Sequence, residues 1–298
     1  MTELLKKWQK NGLEFKHREH RIFYRMNGKG EALLLIHGFP TASWDWHKVY
    51  DDLCERFTVI APDMIGFGFS AKPKNYDYSI LDQADLLEAL MDRLGLTAVH
   101  LLCHDYGDTV GQELLARYTE RSERGTSTVE IRSICFLNGG LFPESHKPRL
   151  IQKLLISPIG FLLNPFLTKA KLRSNFEAIF GEDTQPSDAE IDEFYHLIDY
   201  NNGKSVMNKL IRYMAERKEH RERWVRPLIN PPMPIRLIDG SQDPISGRHL
   251  AERYEELVDQ PDVIHLEEAG HYPQTERPDL VLKHYLDFID SRVRFKGP

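Results

Sequence analysis

Residues 98–119 read AVHLLCHDYGDTVGQELLARYT, and the passage from an apolar run through Asp105 into a helical pattern decides the fold. The run at 98–102 is apolar without alternation, as in a strand buried on both faces. Cys103, His104, Asp105, Tyr106 and Gly107 follow at once, and helix spacing is established by Thr109. A strand turning sharply into a helix, with a reactive residue at the apex, has the form of a nucleophile elbow. Such a turn needs small neighbours because backbone segments approach closely there. Gly107 fills one small position and Cys103 the other, where glycine is commoner. Taken alone, Asp105 reads equally well as a helix N-cap.

Outward from this turn, short apolar runs recur at 32–36, 57–61, 131–137, 235–238 and 263–266. Residues 15–26 read as a polar strand pair ending near Asn27 and Gly28. Helix-period segments at 79–94, 109–119, 248–257 and 278–292 lie between the runs. This alternation predicts an α/β fold with a mostly parallel sheet and helices on both faces. It lapses between 142 and 228, where only helix signals remain. Ser187 and Glu190 form a capping box opening a helix toward Tyr200, and Asn201, Asn202 and Gly203 stop it before a second helix toward Arg217. An inserted helical stretch of this kind must cover an edge or end of the sheet. The chain therefore divides into a core of 1–141 and 229–298 and a helical cap of 142–228. The apolar run at 154–167 is interrupted by Pro158, Asn164 and Pro165 and is shorter than the ~20 residues of a membrane span, so it reads as a helix buried against protein.

Composition narrows the function. At 298 residues the chain can bury a sizeable core, and a net charge of −6 argues against a nucleic-acid footprint, which needs a basic face. Three widely spaced cysteines without paired metal spacing suit a reduced, cytoplasmic compartment. Residues 1–12 carry Lys6, Lys7 and Lys10 without an apolar segment, unlike a signal peptide. The basic stretch at 212–226 is interleaved with Glu216, Glu219 and Glu222 and reads as a solvated helix face laced with ion pairs. Residues 120–131 read as an exposed loop. Gly66 and Gly68 lack the third glycine of a dinucleotide fingerprint, and neither a metal nor an organic cofactor is expected.

Open α/β sheets bind ligands beyond the carboxyl ends of their strands. Polar or glycine-bearing turns follow each apolar run, including His37-Gly38-Phe39-Pro40, Asn138-Gly139-Gly140, Gly240-Ser241-Gln242-Asp243 and Gly270-His271. Asp105, Asp243 and His271 occur in the order nucleophile, orienting acid, base. Asp243 can hold the imidazole in the correct tautomer, whereas Asn138, at a neighbouring strand end, lacks the charge to do so. The amides of Phe39 and Tyr106 are the expected oxyanion-hole donors, each worth about 3 kcal/mol of transition-state stabilisation. Tyr106, Trp44, Asn138 and Tyr213 are the candidates for binding substrate.

With these residues in place the chain resembles the α/β-hydrolase superfamily, in the branch of epoxide hydrolases and haloalkane dehalogenases. The matching motifs are His37 to Pro40, Asp63 with Gly66 to Ser70, His104-Asp105, Gly240 to Asp243 and Gly270-His271, which span the whole core. Within that branch it is similar to the mesoderm-specific transcript group, through His104 to Asp108, Asn138 to Glu144 and Arg223-Trp224. The resemblance implies an aspartate nucleophile. It departs from dehalogenases at two places: Tyr106 stands where a halide-holding tryptophan is usual, and Phe39 where many carry asparagine. Epoxide hydrolases use cap tyrosines to protonate the opening oxygen; Tyr195, Tyr200 and Tyr213 are available, and Tyr213 is the first candidate.

An aspartate attacking an acyl carbon would give a reactive anhydride, whereas attack on an sp3 carbon gives a stable ester that an activated water can hydrolyse. The sequence thus predicts a hydrolase working through a covalent aspartyl ester, epoxide-hydrolase-like, on a small apolar organic substrate with water as co-substrate. Haloalkane dehalogenation and a non-catalytic binding role on the same scaffold are the alternatives.

Overall fold

One sheet contains β1 (Leu13–His17), β2 (His20–Asn27), β3 (Glu31–Ile36), β4 (Phe57–Pro62), β5 (Ala98–His104), β6 (Glu130–Leu137), β7 (Ile235–Gly240) and β8 (Val263–Leu266). Its order is β1-β2-β4-β3-β5-β6-β7-β8. The computed structural model describes the whole chain except residues 127–128, 146, 148–153, 155, 157–159, 161–163, 165–166 and 294–298. From β4 onward every neighbouring pair is parallel; β1 and β2 are antiparallel additions at one edge. The strand pair expected at 15–26 is therefore a hairpin, turning at Arg18 and Glu19 with positive φ at both. Central strands are buried on both faces, with Leu33 to Ile36 and Leu101 to Cys103 inaccessible, as their uninterrupted apolar runs require.

Helices α1 (Glu3–Lys10), α2 (Tyr50–Cys54), α3 (Ile80–Arg93) and α4 (Tyr106–Glu123) precede β6. Helix α4 begins three residues before the helical pattern is evident in sequence and runs into the stretch expected to be loop. The chain passes from β3 to β4 on one side and then crosses to β5 on the other, so the strand order reverses at β3 and β5. Ligand sites of such sheets form outside the carboxyl ends at that switch point.

Between β6 and β7 the described residues contain no strand. Helices Lys169–Glu177, Asp188–Asp199, Met207–Leu210, Tyr213–Glu219 and Arg221–Ile229 occupy this interval. The capping box at Ser187 and Glu190 is present, and Asn201 and Asn202 adopt φ of +51° and +60°, breaking the chain direction where the sequence suggests a stop. The second helix is not continuous to Arg217 but is divided in two. Most of the apolar run 154–167 lies outside the described residues. Among those described, no helix is long and apolar enough to cross a membrane.

The insertion docks on α4 through a buried carboxylate. Glu113 accepts from Trp224 Nε1 at 2.7 Å and Arg223 Nε at 2.9 Å, and also receives Arg117 from its own helix. The basic stretch 212–226 is thus only partly solvated. Arg221 pairs at the surface with Glu222, as expected, and also with Glu144 outside the stretch, but Arg217 is buried, at 2% exposure.

Candidate active site

Asp105 alone makes the turn from β5 into α4, at φ +48° and ψ −105°. Such a backbone is strained for a residue with a side chain and persists only where its surroundings enforce it. A Cβ on Gly107 would strike the carbonyl oxygen of Ile36, and one on Gly38 would strike the His104 ring. These glycines let β3 and the turn close on each other. The Asp105 side chain makes no capping bond to α4, so the N-cap reading fails. Its Oδ2 instead accepts a 2.9 Å hydrogen bond from the Phe39 amide.

His271 and Asp243 meet at this point from the ends of β8 and β7. His271 Nε2 stands 3.8 Å from Asp105 Oδ1, and its Nδ1 lies 2.7 Å from Asp243 Oδ2. All three side chains are buried. Ile245 N donates to Asp243 Oδ1 at 2.8 Å, while Ser246 Oγ and Asn138 Nδ2 donate to Oδ2 at 2.9 and 3.1 Å. Burial opposes the Asp243 charge, but His271 and these donors outweigh it and hold the pKa below the ordinary value. Burial likewise opposes protonation of His271. The charge and hydrogen bond of Asp243, then the charge of Asp105, prevail and raise its pKa from 6.5 to about 9.

The histidine loop is fastened to the insertion. His271 N donates to the Ile179 carbonyl at 2.9 Å, and His104 Nε2 donates to the His271 carbonyl at 2.7 Å. Glu276 collects four donors: Gly181 N (2.8 Å) and Thr184 Oγ1 (2.6 Å) from the insertion, Gly270 N (2.7 Å) and Tyr272 N (2.8 Å) from the loop itself.

Asp105 and His271 line a cavity of about 110 Å³ with mainly apolar walls, among them Phe39, Phe176, Ile198, Met207, Ile211 and Tyr272. Its polar side chains, besides those two, are Thr168, Lys171, Asn175 and Tyr195 from the insertion and Tyr272 from the histidine loop.

The candidate substrate-binding residues fare differently from the three at the elbow. Trp44 is not in the cavity wall: its ring packs edge-on to Trp8 and stacks on His47, and Nε1 donates to Glu193 at 3.1 Å, fixing the core to the insertion. Asn138 is likewise absent from the wall. At φ +45° it clamps β6 to β7, accepting from Gly240 N at 2.7 Å and donating to Asp243. The Tyr106 ring is buried between Phe67 and Tyr213, outside the cavity lining, because the first turn of α4 points it away. Tyr213 is also outside the lining residues, but its ring lies 6.2 Å from that of Phe39. Burial first, and then Asp105, through its charge and a hydrogen bond, raise the pKa of the Tyr213 hydroxyl. Tyr195 does line the cavity, with Lys204 Nζ donating to its hydroxyl at 3.1 Å. Tyr200 packs on Phe69 at 5.1 Å, away from the cavity lining.

Sequence reasoning missed Arg217 and Glu276. Arg217 looked like one of many exposed charges. Glu276 offered a weak signal, a carboxylate one helical turn beyond the histidine turn. A carboxylate held by one oxygen beside an oriented imidazole can attack carbon with the other, and the imidazole can then move protons.

The sequence profile of the family described as alpha/beta hydrolase fold matches residues 31–278. The chain is 40% identical over 305 residues to the mesoderm-specific transcript protein of Mus musculus, covering 98% of this chain and 89% of the relative. In three dimensions it is similar to epoxide hydrolase CorEH, with a TM-score of 0.70 and 21% identity, over 94% of this chain and 98% of that one. It is also similar to haloalkane dehalogenase DbeA from Bradyrhizobium elkani, with a TM-score of 0.77 and 22% identity, over 94% and 97%. At these identities the two solved structures speak to the fold alone.

Proposed function

Since the chain belongs to the alpha/beta hydrolase fold family, we propose that it is a hydrolase in which Asp105 attacks an sp3 carbon and His271 directs water onto the resulting ester. One observation carries this reading. The Phe39 amide holds Asp105 Oδ2 at 2.9 Å, while Oδ1 lies on the His271 side, at the cavity wall.

In the first step Oδ1 forms a bond to carbon as the carbon–oxygen bond of an epoxide breaks. The departing oxygen takes a proton from the Tyr213 hydroxyl, which its raised pKa keeps protonated at neutral pH. Asp105 then becomes a neutral ester. Its lost charge had helped hold the proton on His271, so the imidazole becomes easier to deprotonate. Proton transfer from His271 to the Tyr213 phenolate restores the phenol and frees Nε2 as a base. Water attacks the ester carbonyl carbon, giving up its proton to His271, and the Phe39 and Tyr106 amides stabilise the oxyanion. Asp243 keeps the imidazole oriented throughout. The insertion acts as the cap that keeps bulk water from the cavity.

An epoxide is favoured over an alkyl halide by the cavity's donors. Trp44 does not line it, and the groups at hand are hydroxyls rather than an indole N–H: those of Tyr195 and Tyr272 in the wall and that of Tyr213 beside Phe39. The apolar walls and small volume suit a compact apolar substrate.

The test incubates His271→Gln protein with terminal epoxides and primary haloalkanes, followed by intact mass and peptide mapping. A covalent increment on Asp105 is expected with an epoxide and absent from Asp105→Asn. No increment with any compound, together with inactivity of the unmodified protein, removes the mechanism. Tight binding of an apolar ligand, unaltered in Asp105→Asn, would instead favour a binding role.

A further inference from the structure

Arg217 is the feature that the proposed mechanism leaves unused. It belongs to the insertion helix Tyr213–Glu219, yet its guanidinium is buried against the elbow. Nε donates to Thr109 Oγ1 at 2.7 Å, in the first turn of α4, and Nη2 donates to the backbone carbonyl of Asp105 at 3.3 Å. The guanidinium carbon lies 4.5 Å from the centroid of the Tyr213 ring, a cation–π distance. A Cβ on Gly140 would collide with Nη1, so that glycine makes room for the group.

We propose that Arg217 is a positioning residue that joins closure of the insertion to the alignment of Asp105 and Tyr213. The inference rests on the reading of Asp105 as nucleophile. From one planar group it grips the elbow carbonyl, the first turn of the elbow helix and the face of the tyrosine proposed as proton donor. Seating the insertion therefore sets attacking and protonating groups in one movement.

Stability alone explains this residue poorly. Removing a guanidinium from water is costly, and an apolar replacement of similar volume is often neutral or stabilising. Here Nη1 has no hydrogen-bond partner among the described residues. Among the described residues the partners of Arg217 are the Thr109 hydroxyl, the Asp105 carbonyl and the face of the Tyr213 ring, all neutral, and together they are the elbow and the proposed proton donor.

Full-length Arg217→Met, Arg217→Lys and Thr109→Val proteins test this, each also made in the His271→Gln background. The rate of mass gain on Asp105 with styrene oxide reports alkylation, and the half-saturating concentration reports binding. Arg217→Met should slow alkylation about 100-fold with half-saturation changed less than about threefold, and Arg217→Lys should recover about tenfold of that loss. A merely structural role would move both quantities together or neither. Alkylation of Arg217→Met within about twofold of the parent overturns the inference. Hydrogen exchange at the amides of residues 105–109 needs no substrate. It should accelerate in Arg217→Met and, less so, in Thr109→Val. If no compound alkylates the parent, the nucleophile reading has failed and exchange alone decides: unchanged exchange in both variants overturns the positioning role, and accelerated exchange upholds the elbow contact.

Discussion

The amide of Phe39 donates a 2.9 Å hydrogen bond to Oδ2 of Asp105, sixty-six residues further along the chain. That bond aims a side chain whose own backbone is strained, and it exists because β3 and β5 are sheet neighbours whose carboxyl ends finish together. The glycines on either side decide whether the approach is possible.

Gly107→Ala should therefore destabilise the fold by about 2–4 kcal/mol, since the added methyl group meets the Ile36 backbone rather than a movable side chain. Urea titration checks this. A midpoint unchanged within error would show that the elbow relaxes more readily than its geometry implies.

His271 predicts a pH dependence of stability. Its folded pKa of about 9 lies above the ordinary 6.5, so the folded state favours the protonated ring. That contribution is fully present below pH 6.5 and is lost as pH rises through 9. The unfolding midpoint in urea should fall between these values, and Asp243→Asn should flatten the fall. Asp105→Asn should lower the His271 pKa, because it removes one of the charges that retain the proton. Imidazole nitrogen shifts in an NMR titration measure it directly, and an unmoved midpoint would contradict the coupling.

Two tyrosines of the insertion separate by substitution. Tyr213→Phe should slow epoxide opening about 100-fold or more, as loss of a general acid does, while Tyr195→Phe should act mainly on half-saturation. Rapid-quench measurement of ester formation in each variant distinguishes them. The reverse order of effects would move the acid role to Tyr195, which lines the cavity beside Lys204.

Glu276→Gln replaces an acceptor of four donors with an amide that must turn its NH₂ toward some of them. A loss of about 1–3 kcal/mol in stability is expected, with a larger proportional loss of turnover because the histidine loop loosens. Losing stability with turnover intact would confine Glu276 to the fold.

Much of this is legible in the sequence. The apolar run and turn at 98–105 reported β5 and its elbow because a doubly buried strand admits little but apolar residues. The capping box at Ser187 was legible because its two bonds span only three residues. Trp44 was misread because aromatic character does not say which surface a ring covers; the ring closes against Trp8 and His47, and its N–H reaches Glu193 149 residues away. Tyr106 was misread because α4 starts directly after Asp105, and the helix's first turn carries the ring toward Phe67.

The sequence by itself determined the sheet, the elbow and the order of Asp105, Asp243 and His271. These follow from local periodicity, glycine placement and the ends of apolar runs, all properties of neighbouring residues. Only the tertiary structure decided which side chains face the cavity and that Arg217 and Glu276 bear on the elbow and the histidine. Those outcomes depend on how the insertion docks, and docking is set by complementary burial between segments more than a hundred residues apart, as between Arg217 and Thr109 or Trp224 and Glu113. No local pattern records such a match, because each partner alone is an ordinary residue on a helix.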